Sequence, residues 1–307
     1  MTTLAENSGA TVTFYYTFLS NWSFVNPACT GVSPCAIGQV GVTPNATISG
    51  TANTIFDATP VIRTSQGVIS ASAYGGFSAL SPGDWMEIYG VNLGTVLSKT
   101  WGADFNGNFA PTALGGTKVT IGGLPAYIDF VNPDQVNAQV PSGVPTGRQP
   151  VVVTTAGGSS VAYTILVNPV EPGLLAPAVF KLTAGQYVAA LFPDGATFVL
   201  PPVAGVPTAR ARPGDTIIFY GVGFGPVTPD IPAGQIVTQS NTLQAKFQAS
   251  FAGMPATVAF AGLTGGFLGL YQFNVVVPNV APSDAVPFVY SLNGVNGPQN
   301  LIIAIGN

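Results

Sequence analysis

One short phrase occurs twice in this chain of 307 residues. PGDWMEIYGVNLG at residues 82–94 and PGDTIIFYGVGFG at residues 213–225 share Pro-Gly-Asp, then Tyr-Gly-Val, then a closing Gly. In each copy the Pro-Gly pair predicts a turn, the middle residues form a strand with two faces, and the late glycines permit a sharp bend. A turn, a strand and a bend that recur in this way restrict the chain to folds built from a repeated β-unit.

Further matching segments follow each copy of the phrase in the same order. They are GLPAYIDF at 123–130 with GMPATVAF at 253–260, and QVNAQVP at 135–141 with QFNVVVP at 272–278. The separation between corresponding prolines rises from 131 residues at Pro82 and Pro213 to 137 residues at Pro141 and Pro278. We therefore predict two related domains, with an insertion in the second copy, GLTGGFLG at 262–269, that lengthens one loop and leaves the core alone.

The rest of the chain is typical of short strands and tight turns. Runs rich in Val, Ile, Thr, Phe and Tyr are separated by Gly, Pro, Asn and Asp, and apolar residues do not recur at helical spacing over three turns. In YVAALFPDGATFVL at 187–200, Asp194 and Gly195 predict a hairpin with a type I′ turn, whose two central residues need positive φ. We predict an all-β chain.

These landmarks together carry a resemblance to a known family. Each copy reads Pro-Gly-Asp, a strand that ends in Tyr-Gly, a turn closed by Gly, then GGLPA or AGMPA, and a strand with QVNAQVP or QFNVVVP. The pattern resembles the IPT/TIG type of immunoglobulin-like domain, and more narrowly the Ig-like C-terminal module of large exported bacterial proteins, over residues 60–307. The resemblance implies two tandem antiparallel β-sandwiches of about seven strands each and supplies no catalytic residues.

The repeat divides the chain into four predicted segments. Residues 1–58 form an N-terminal extension with one strong strand, and residues 59–168 form the first Ig-like domain. Residues 169–186 form a stiff Pro-rich link, and residues 187–307 form the second Ig-like domain. Because no cysteine lies within the repeats, both cores must pack from aliphatic and aromatic residues.

Both cysteines, Cys29 and Cys35, lie in the short stretch NPACTGVSPC. Gly31 and Pro34 suit the tight turn that a small Cys29–Cys35 loop needs, and such a disulfide is typical of an oxidising compartment. Two free thiols in a reducing cell are the alternative.

The strand TVTFYYTFL at 11–19 places Val12, Phe14, Tyr16 and Phe18 on one face. A lone strand with this much apolar surface needs a partner. It could pair with an edge of the first sandwich, it could be the last strand of an upstream domain, or it could complete the sheet of a neighbouring molecule. These four residues are the candidate assembly strand.

Charge limits the partners that the chain can bind. Charged residues make up 7% of the sequence, and the net charge is -4 with only eight Lys and Arg. Only Arg210 and Arg212 lie close together, so nucleic acids and anionic membranes are not expected partners. No apolar run reaches the ~18 residues that a membrane span requires. An exterior rich in Thr and Asn offers little repulsion between copies, so the expected partners are copies of the chain, other surface proteins or glycans.

Reactive residue types are scarce. With no His, the usual Ser-His-Asp triad, Cys-His pair and zinc–water site cannot be built. Asp84 and Glu87 point to opposite faces of a strand, and Asp129 and Asp134 flank a turn that such residues commonly stabilise. DFNGN at 104–108 is not followed by the Gly at the sixth position, nor by the distal Glu, that a calcium loop uses. We predict no catalytic, cofactor-binding or metal-binding residue and no cofactor.

One long loop carries Trp101, Phe105 and Phe109. These side chains could stack on sugar rings as a glycan platform, or they could cap the end of the first sandwich. The opening MTTLAENSGATVTFYY lacks the basic and apolar regions of a secretory signal, which by itself predicts a cytosolic protein. Because the other features predict export, we expect a processed, truncated or incompletely predicted product of a longer exported protein.

Two hypotheses of function follow. The first is a non-enzymatic extracellular or cell-surface structural or adhesive protein that self-assembles into a polymer or filament through its N-terminal strand. The second is a carbohydrate-binding accessory module of a secreted protein, with the 95–110 loop as its aromatic platform.

Overall fold

The computed structural model describes residues 11–14, 46–49, 58–71 and 77–307. The chain forms two compact units, Met1–Thr59 and Pro60–Asn307. In the first unit, strand β1 (Thr11–Phe14) pairs antiparallel with strand β2 (Ala46–Ser49). No helix in the described residues is long and apolar enough to cross a membrane.

The pairing of β1 with β2 bears on the candidate assembly strand. Val12 lies opposite Ile48 and Phe14 lies opposite Ala46, so the described part of this strand has a partner inside its own unit. Tyr16, Phe18, Cys29 and Cys35 lie outside the described residues. The disulfide and the assembly role of the strand stay predictions.

The first half of the larger unit contains two sheets that face each other. One has the order β10-β9-β13-β15-β5 with β8 and β14 attached, and the other has the order β3-β6-β12-β11-β7 with β4 attached. The strands are β3 (Val61–Ile62), β4 (Val68–Ser70), β5 (Ala79–Leu80), β6 (Trp85–Val91), β7 (Lys99–Thr100), β8 (Ala113–Leu114), β9 (Thr117–Ile121), β10 (Leu124–Pro125), β11 (Tyr127–Val131), β12 (Gln135–Gln139), β13 (Gly147–Thr155), β14 (Gly158–Ser159) and β15 (Tyr163–Val167).

The second half repeats this arrangement. Its sheets have the orders β21-β20-β19-β22-β28-β27 with β16 attached, and β26-β25-β29-β30 with β31 attached, beside the small pairs β17-β18 and β23-β24. The strands are β16 (Gly173–Leu174), β17 (Lys181–Leu182), β18 (Gly185–Gln186), β19 (Ala190–Leu191), β20 (Phe198–Val199), β21 (Thr208–Ala209), β22 (Thr216–Val222), β23 (Val227–Thr228), β24 (Thr242–Leu243), β25 (Phe247–Phe251), β26 (Met254–Pro255), β27 (Thr257–Leu263), β28 (Tyr271–Val276), β29 (Ser283–Leu292), β30 (Val295–Asn296) and β31 (Leu301–Ile305).

The predicted all-β class is confirmed. Helical structure in the described residues is limited to two single 3-10 turns, Gly102–Asp104 and Ala178–Phe180. The strand pairs are antiparallel except for β5 with β15 and β20 with β21. Alternating burial along β6, with Met86 and Ile88 buried between half-buried neighbours, agrees with the two faces read from the sequence.

Each sandwich has its own main hydrophobic core. One cluster is built from residues between Ile62 and Val167, where Met86, Ile88 and Val119 meet. A second is built from residues between Leu174 and Ile305, and its rings stack closely, with Phe247 and Phe273 centroids 3.9 Å apart. A small third cluster is centred on Tyr187. Two separate main cores explain why each repeat carries a full set of alternating apolar residues.

The repeated phrase has the same backbone role in both sandwiches. Gly83 N–H donates to the Val140 carbonyl at 3.0 Å, and Gly214 N–H donates to the Val277 carbonyl at 2.9 Å. The bulge in β11 between Ile128 and Phe130 recurs in β27 between Val258 and Phe260. The sequence repeat is therefore a repeat of turn, strand and bulge.

The glycine of the repeated Tyr-Gly pair makes room for another strand. A Cβ at Gly90 would lie 2.0 Å from the Val61 carbonyl oxygen in β3, and a Cβ at Gly221 would lie 2.6 Å from the Gly173 carbonyl oxygen in β16. Only glycine lets the first strand of each sandwich approach so closely. This close contact explains why both copies of the phrase have glycine at this position.

The segment 169–186, predicted as a Pro-rich link, is more than a link. Gly173 and Leu174 form β16, which pairs with Val222 and Gly221 of the second sandwich. Prolines leave this pairing intact because the paired residues lie between them and keep their N–H groups. The predicted limits of the two domains stay predictions.

The predicted hairpin at Asp194-Gly195 is present, but its turn differs from type I′. β19 pairs with β20, and Phe192 N–H bonds to the Thr197 carbonyl at 2.9 Å. Gly195 has a φ of 68°, but the φ of Asp194 is not positive, whereas a type I′ turn needs a positive φ at both residues. The Asp194 carboxylate instead accepts hydrogen bonds from Ala196 N and Thr197 N at 3.0 Å, which favours a longer loop.

Candidate functional site

The two sandwiches meet along a seam, by which we mean the contact between residues before Val167 and residues after Gly173. Gln139, at the end of β12, is 1% exposed and lies at its centre. Its Oε1 accepts a hydrogen bond from Gly234 N at 2.7 Å, and its Nε2 donates to the Gly83 carbonyl at 3.0 Å. One buried amide thus connects a loop of the second sandwich to the Pro-Gly turn of the first.

Trp85 makes the second side-chain contact of the seam. It is the cross-strand partner of Gln139, and its indole Nε1 donates to the Leu268 carbonyl at 3.0 Å. Leu268 belongs to the insertion at 262–269, which the sequence predicted only to lengthen a loop. The prediction was incomplete, because the insertion also holds the first sandwich.

Backbone groups extend the seam on both sides of these two residues. Four further hydrogen bonds cross it: Ala110 N to Gly234 O at 2.8 Å, Ala233 N to Ser142 Oγ at 2.8 Å, Ile236 N to Asn108 O at 2.9 Å, and Ser81 Oγ to Gly223 O at 3.4 Å. Because most of these bonds are directional contacts to backbone, they favour one relative orientation of the sandwiches.

The sequence carried a signal for this seam in the differences between its repeats. Where the first copy has Trp85 and Gln139, the second has Thr216 and Val276, which also pair with each other across two strands. The second copy alone carries the insertion. Residues that depart from an internal repeat are candidates for contacts that only one domain makes.

Docking also changes the environment of the repeated aspartate. Asp84 is fully buried, and its Oδ1 accepts a hydrogen bond from Trp85 N at 2.8 Å. Burial raises the pKa of Asp84 well above its usual value, the Trp85 N–H opposes that rise, and the negative charge of Glu171 adds to it. The equivalent Asp215 is only partly buried. A neutral carboxylic acid is therefore the form of Asp84 that the seam favours.

A cavity of about 270 Å³ opens beside Gln139. Ser142 and Gln139 line it from the first sandwich, and Tyr271 and Asp230 line it from the second. The Tyr271 hydroxyl donates to the Gly225 carbonyl, and the Ser142 hydroxyl accepts from Ala233 N. Gln139, Ser142 and Tyr271 therefore already bond to protein atoms and are less available to orient a small ligand.

Comparison with known families bears on the first sandwich directly. The family model described as the IPT/TIG domain matches residues 76–166. Residues 76–166 are an IPT/TIG domain. The resemblance read from the sequence is confirmed over this range, and the second sandwich repeats the landmarks of the IPT/TIG domain in sequence and in structure. Comparison with curated proteins gives no match.

Comparison with solved structures gives several matches. An SGBP-B from the mixed-linkage glucan utilization locus of Bacteroides ovatus, solved with a mixed-linkage heptasaccharide, is 12% identical with a TM-score of 0.33, over 84% of this chain and 45% of that chain. A gamma-CGTase from alkalophilic Bacillus clarkii is 13% identical with a TM-score of 0.26, over 98% and 35%. The plexin A4 extracellular region is 9% identical with a TM-score of 0.27, over 81% and 18%. The chain spans less than half the length of each.

The aromatic residues predicted as a glycan platform separate into two groups in the IPT/TIG domain. Trp101 lies edge-on to Trp85 with centroids 5.6 Å apart, and Phe105 lies edge-on to Trp101 at 5.0 Å. Trp101 also packs against the core, which agrees with the capping alternative. Phe109 is 49% exposed and lies apart from this cluster.

Two of the carboxylates weighed in the sequence, Glu87 and Asp104, have side-chain partners in the IPT/TIG domain. Glu87 Oε2 accepts a hydrogen bond from the Tyr89 hydroxyl at 2.6 Å, and burial together with this bond raises the pKa of Tyr89 to about 12. Asp104 forms an ion pair with Lys99 at 2.9 Å. Burial raises the pKa of Asp129, the bulge residue of β11. Among the described residues, no group of three His, Cys, Asp or Glu is placed to hold a metal ion.

Proposed function

We propose that this chain is a non-enzymatic structural or adhesive part of an exported protein, in which the two sandwiches act as one rigid unit. The observation that carries the proposal is the seam, where the buried Gln139 amide bonds to Gly83 and to Gly234. Domains joined by a linker move relative to each other by default, and a buried amide that bonds to both sandwiches restricts that motion.

The surface chemistry supports the same proposal. Only 7% of the residues are charged, so copies of the chain repel each other weakly when they are crowded on a surface or in a polymer. Among the described residues, two ion pairs occur, Lys99 with Asp104 at 2.9 Å and Arg210 with Asp284 at 2.5 Å. Both pairs are partly exposed, and neither lines the cavity beside Gln139.

The N-terminal extension is the element through which we propose that copies assemble. Among the described residues, β1 and β2 form a sheet of two strands, and a two-stranded sheet is marginally stable alone. Strands of this kind gain stability by pairing with a further edge, which a neighbouring molecule can supply.

Two measurements test the proposal. We expect size-exclusion chromatography with light scattering to show assemblies for the intact chain and monomers for a chain that starts at Thr59. Identical monomers from both would remove assembly through the extension. We expect small-angle scattering of the shorter chain to fit one fixed arrangement of sandwiches, and a profile that requires many arrangements would remove the rigid unit.

A further inference from the structure

Three loops meet at one end of the seam. The segment 235–237 of the second sandwich runs between the 105–109 loop of the IPT/TIG domain and the insertion. On one side Ile236 N donates to Asn108 O at 2.9 Å, and on the other Val237 N donates to Phe267 O at 2.9 Å. The IPT/TIG loop and the insertion are thus held on opposite sides of a shared strand-like segment.

Each of the two outer loops presents an aromatic ring to solvent. Phe109 is 49% exposed and Phe267 is 54% exposed. Every other Phe, Tyr and Trp in residues 58–71 and 77–307 is buried or half-buried. The two exposed aromatic side chains of these ranges therefore lie on neighbouring loops, one from each sandwich. We call Phe109, Phe267 and the segment 235–237 between them the seam platform.

Backbone hydrogen bonds order the two loops that carry the rings. Phe109 and Asn106 exchange backbone hydrogen bonds at 3.0 and 3.1 Å around a tight turn. Gly266 N donates to Val237 O at 2.8 Å, which fixes the residue next to Phe267. A ring on an ordered loop loses little conformational freedom on binding, so these rings are suited to recognition.

The platform is uncharged. The segments 105–109, 235–239 and 264–268 contain no Lys, Arg, Asp or Glu, and the nearby Asp104 is neutralised by Lys99 at 2.9 Å. Their polar side chains are mainly amides, which can donate and accept hydrogen bonds at once: Asn106, Asn108, Gln235 and Gln239. Nucleic acids and anionic lipids need cations that this surface lacks.

We propose that the seam platform binds a neutral oligosaccharide. Sugar rings have apolar C–H faces that stack on aromatic rings and hydroxyl groups that hydrogen-bond to amides. The phenylalanine rings and the amide side chains of this surface can therefore both contact a sugar. The two outer loops are two strand spacings apart, roughly 10 Å, which exceeds one sugar ring and selects a chain of several sugars. This binding goes beyond the proposed structural role and does not depend on assembly.

The test is an array of neutral and acidic oligosaccharides, followed by titration calorimetry with the neutral oligosaccharide that the intact chain binds best. We expect Phe109→Ala and Phe267→Ala each to weaken binding by at least about tenfold, the scale of one lost aromatic contact. Leu97→Ala is the matched control, because Leu97 is 93% exposed in the same sandwich as Phe109 and should leave binding unchanged.

Several results would overturn the proposal. They are absence of binding to every neutral oligosaccharide, binding confined to acidic ones, and binding that survives both phenylalanine substitutions. Because both rings are exposed, thermal unfolding of the variants should match the parent chain, so lost binding can be separated from lost folding. A negative result here would leave the light-scattering test of assembly unaffected.

Discussion

Trp85 and Leu268 lie 183 residues apart in the sequence and share a hydrogen bond of 3.0 Å. Trp85 begins the repeated strand of the first sandwich, and Leu268 belongs to the insertion that only the second sandwich carries. One contact thus joins the feature that the two repeats share to the feature that distinguishes them.

Replacing Gln139 by Val, the residue at the matching position 276, should destabilise the unit of residues 60–307 by about 3 kcal/mol. The change leaves Gly234 N–H and the Gly83 carbonyl without their partner at the seam. Urea unfolding followed by circular dichroism measures the loss.

Gln135→Val on the same strand is the control and should cost less than about 1 kcal/mol, since Gln135 is half-buried and its side chain bonds only to Asn137. Equal losses would contradict the special role of Gln139.

Two glycines of the insertion should differ in their tolerance of alanine. A Cβ at Gly269 would lie 2.0 Å from Gln139 Nε2, and its φ is +57°, so Gly269→Ala should lower the free energy of unfolding by about 2 kcal/mol or more. Gly265→Ala meets no atom within 4 Å and should be close to neutral. Thermal unfolding of both variants provides the comparison, and a neutral Gly269→Ala would show that the insertion is not packed on Gln139.

The repeated Tyr-Gly pair should be equally intolerant in both sandwiches. Gly90→Ala and Gly221→Ala each push a Cβ into the carbonyl of the neighbouring first strand, so each should destabilise its sandwich by about 2 kcal/mol or more. Gly143→Ala, where the nearest atom lies at 3.5 Å, is the control. Amide hydrogen exchange can assign each loss to its own sandwich. Tolerance at one position alone would mean that the two copies do not share this contact.

Asp84 should make stability fall as pH rises. Its folded pKa is raised well above the unfolded value of 3.8, so the folded state holds a proton that the unfolded state releases. Below pH 3.8 the carboxyl group is protonated in both the folded and the unfolded state, so it does not change the free energy of unfolding. Above it, stability should decline by about 1.4 kcal/mol per pH unit until the folded pKa is reached.

Asp84→Asn should remove this decline, because asparagine stays neutral at every pH. The measurement is the midpoint of urea unfolding at several pH values for the parent chain and the variant. Asp215→Asn is the matched control, since Asp215 occupies the same place in the second repeat and is only partly buried. A parent and an Asp84→Asn variant with parallel pH profiles would contradict a proton held at the seam.

The local features of each sandwich could be predicted from the sequence because short-range constraints determine them. Pro-Gly turns, the alternation of Met86 and Ile88 with polar neighbours, and the glycine before the bend all act within a few residues. Their repetition at a nearly constant separation was enough to predict two related β-units and the IPT/TIG resemblance. The type I′ turn at Asp194 was wrong because the carboxylate bonds to Ala196 and Thr197, a local competition that the two-residue signal does not reveal.

Only the tertiary structure decided which residues meet at the seam. Trp85 and Gln139 look like ordinary residues on the solvent face of a strand until Leu268 and Gly234, far along the chain, are brought against them. Likewise Asp84 and Asp215 each belong to a Pro-Gly-Asp turn, yet only Asp84 is fully buried. Burial and electrostatics depend on which surfaces meet, and a sequence repeat specifies each surface without specifying its neighbour.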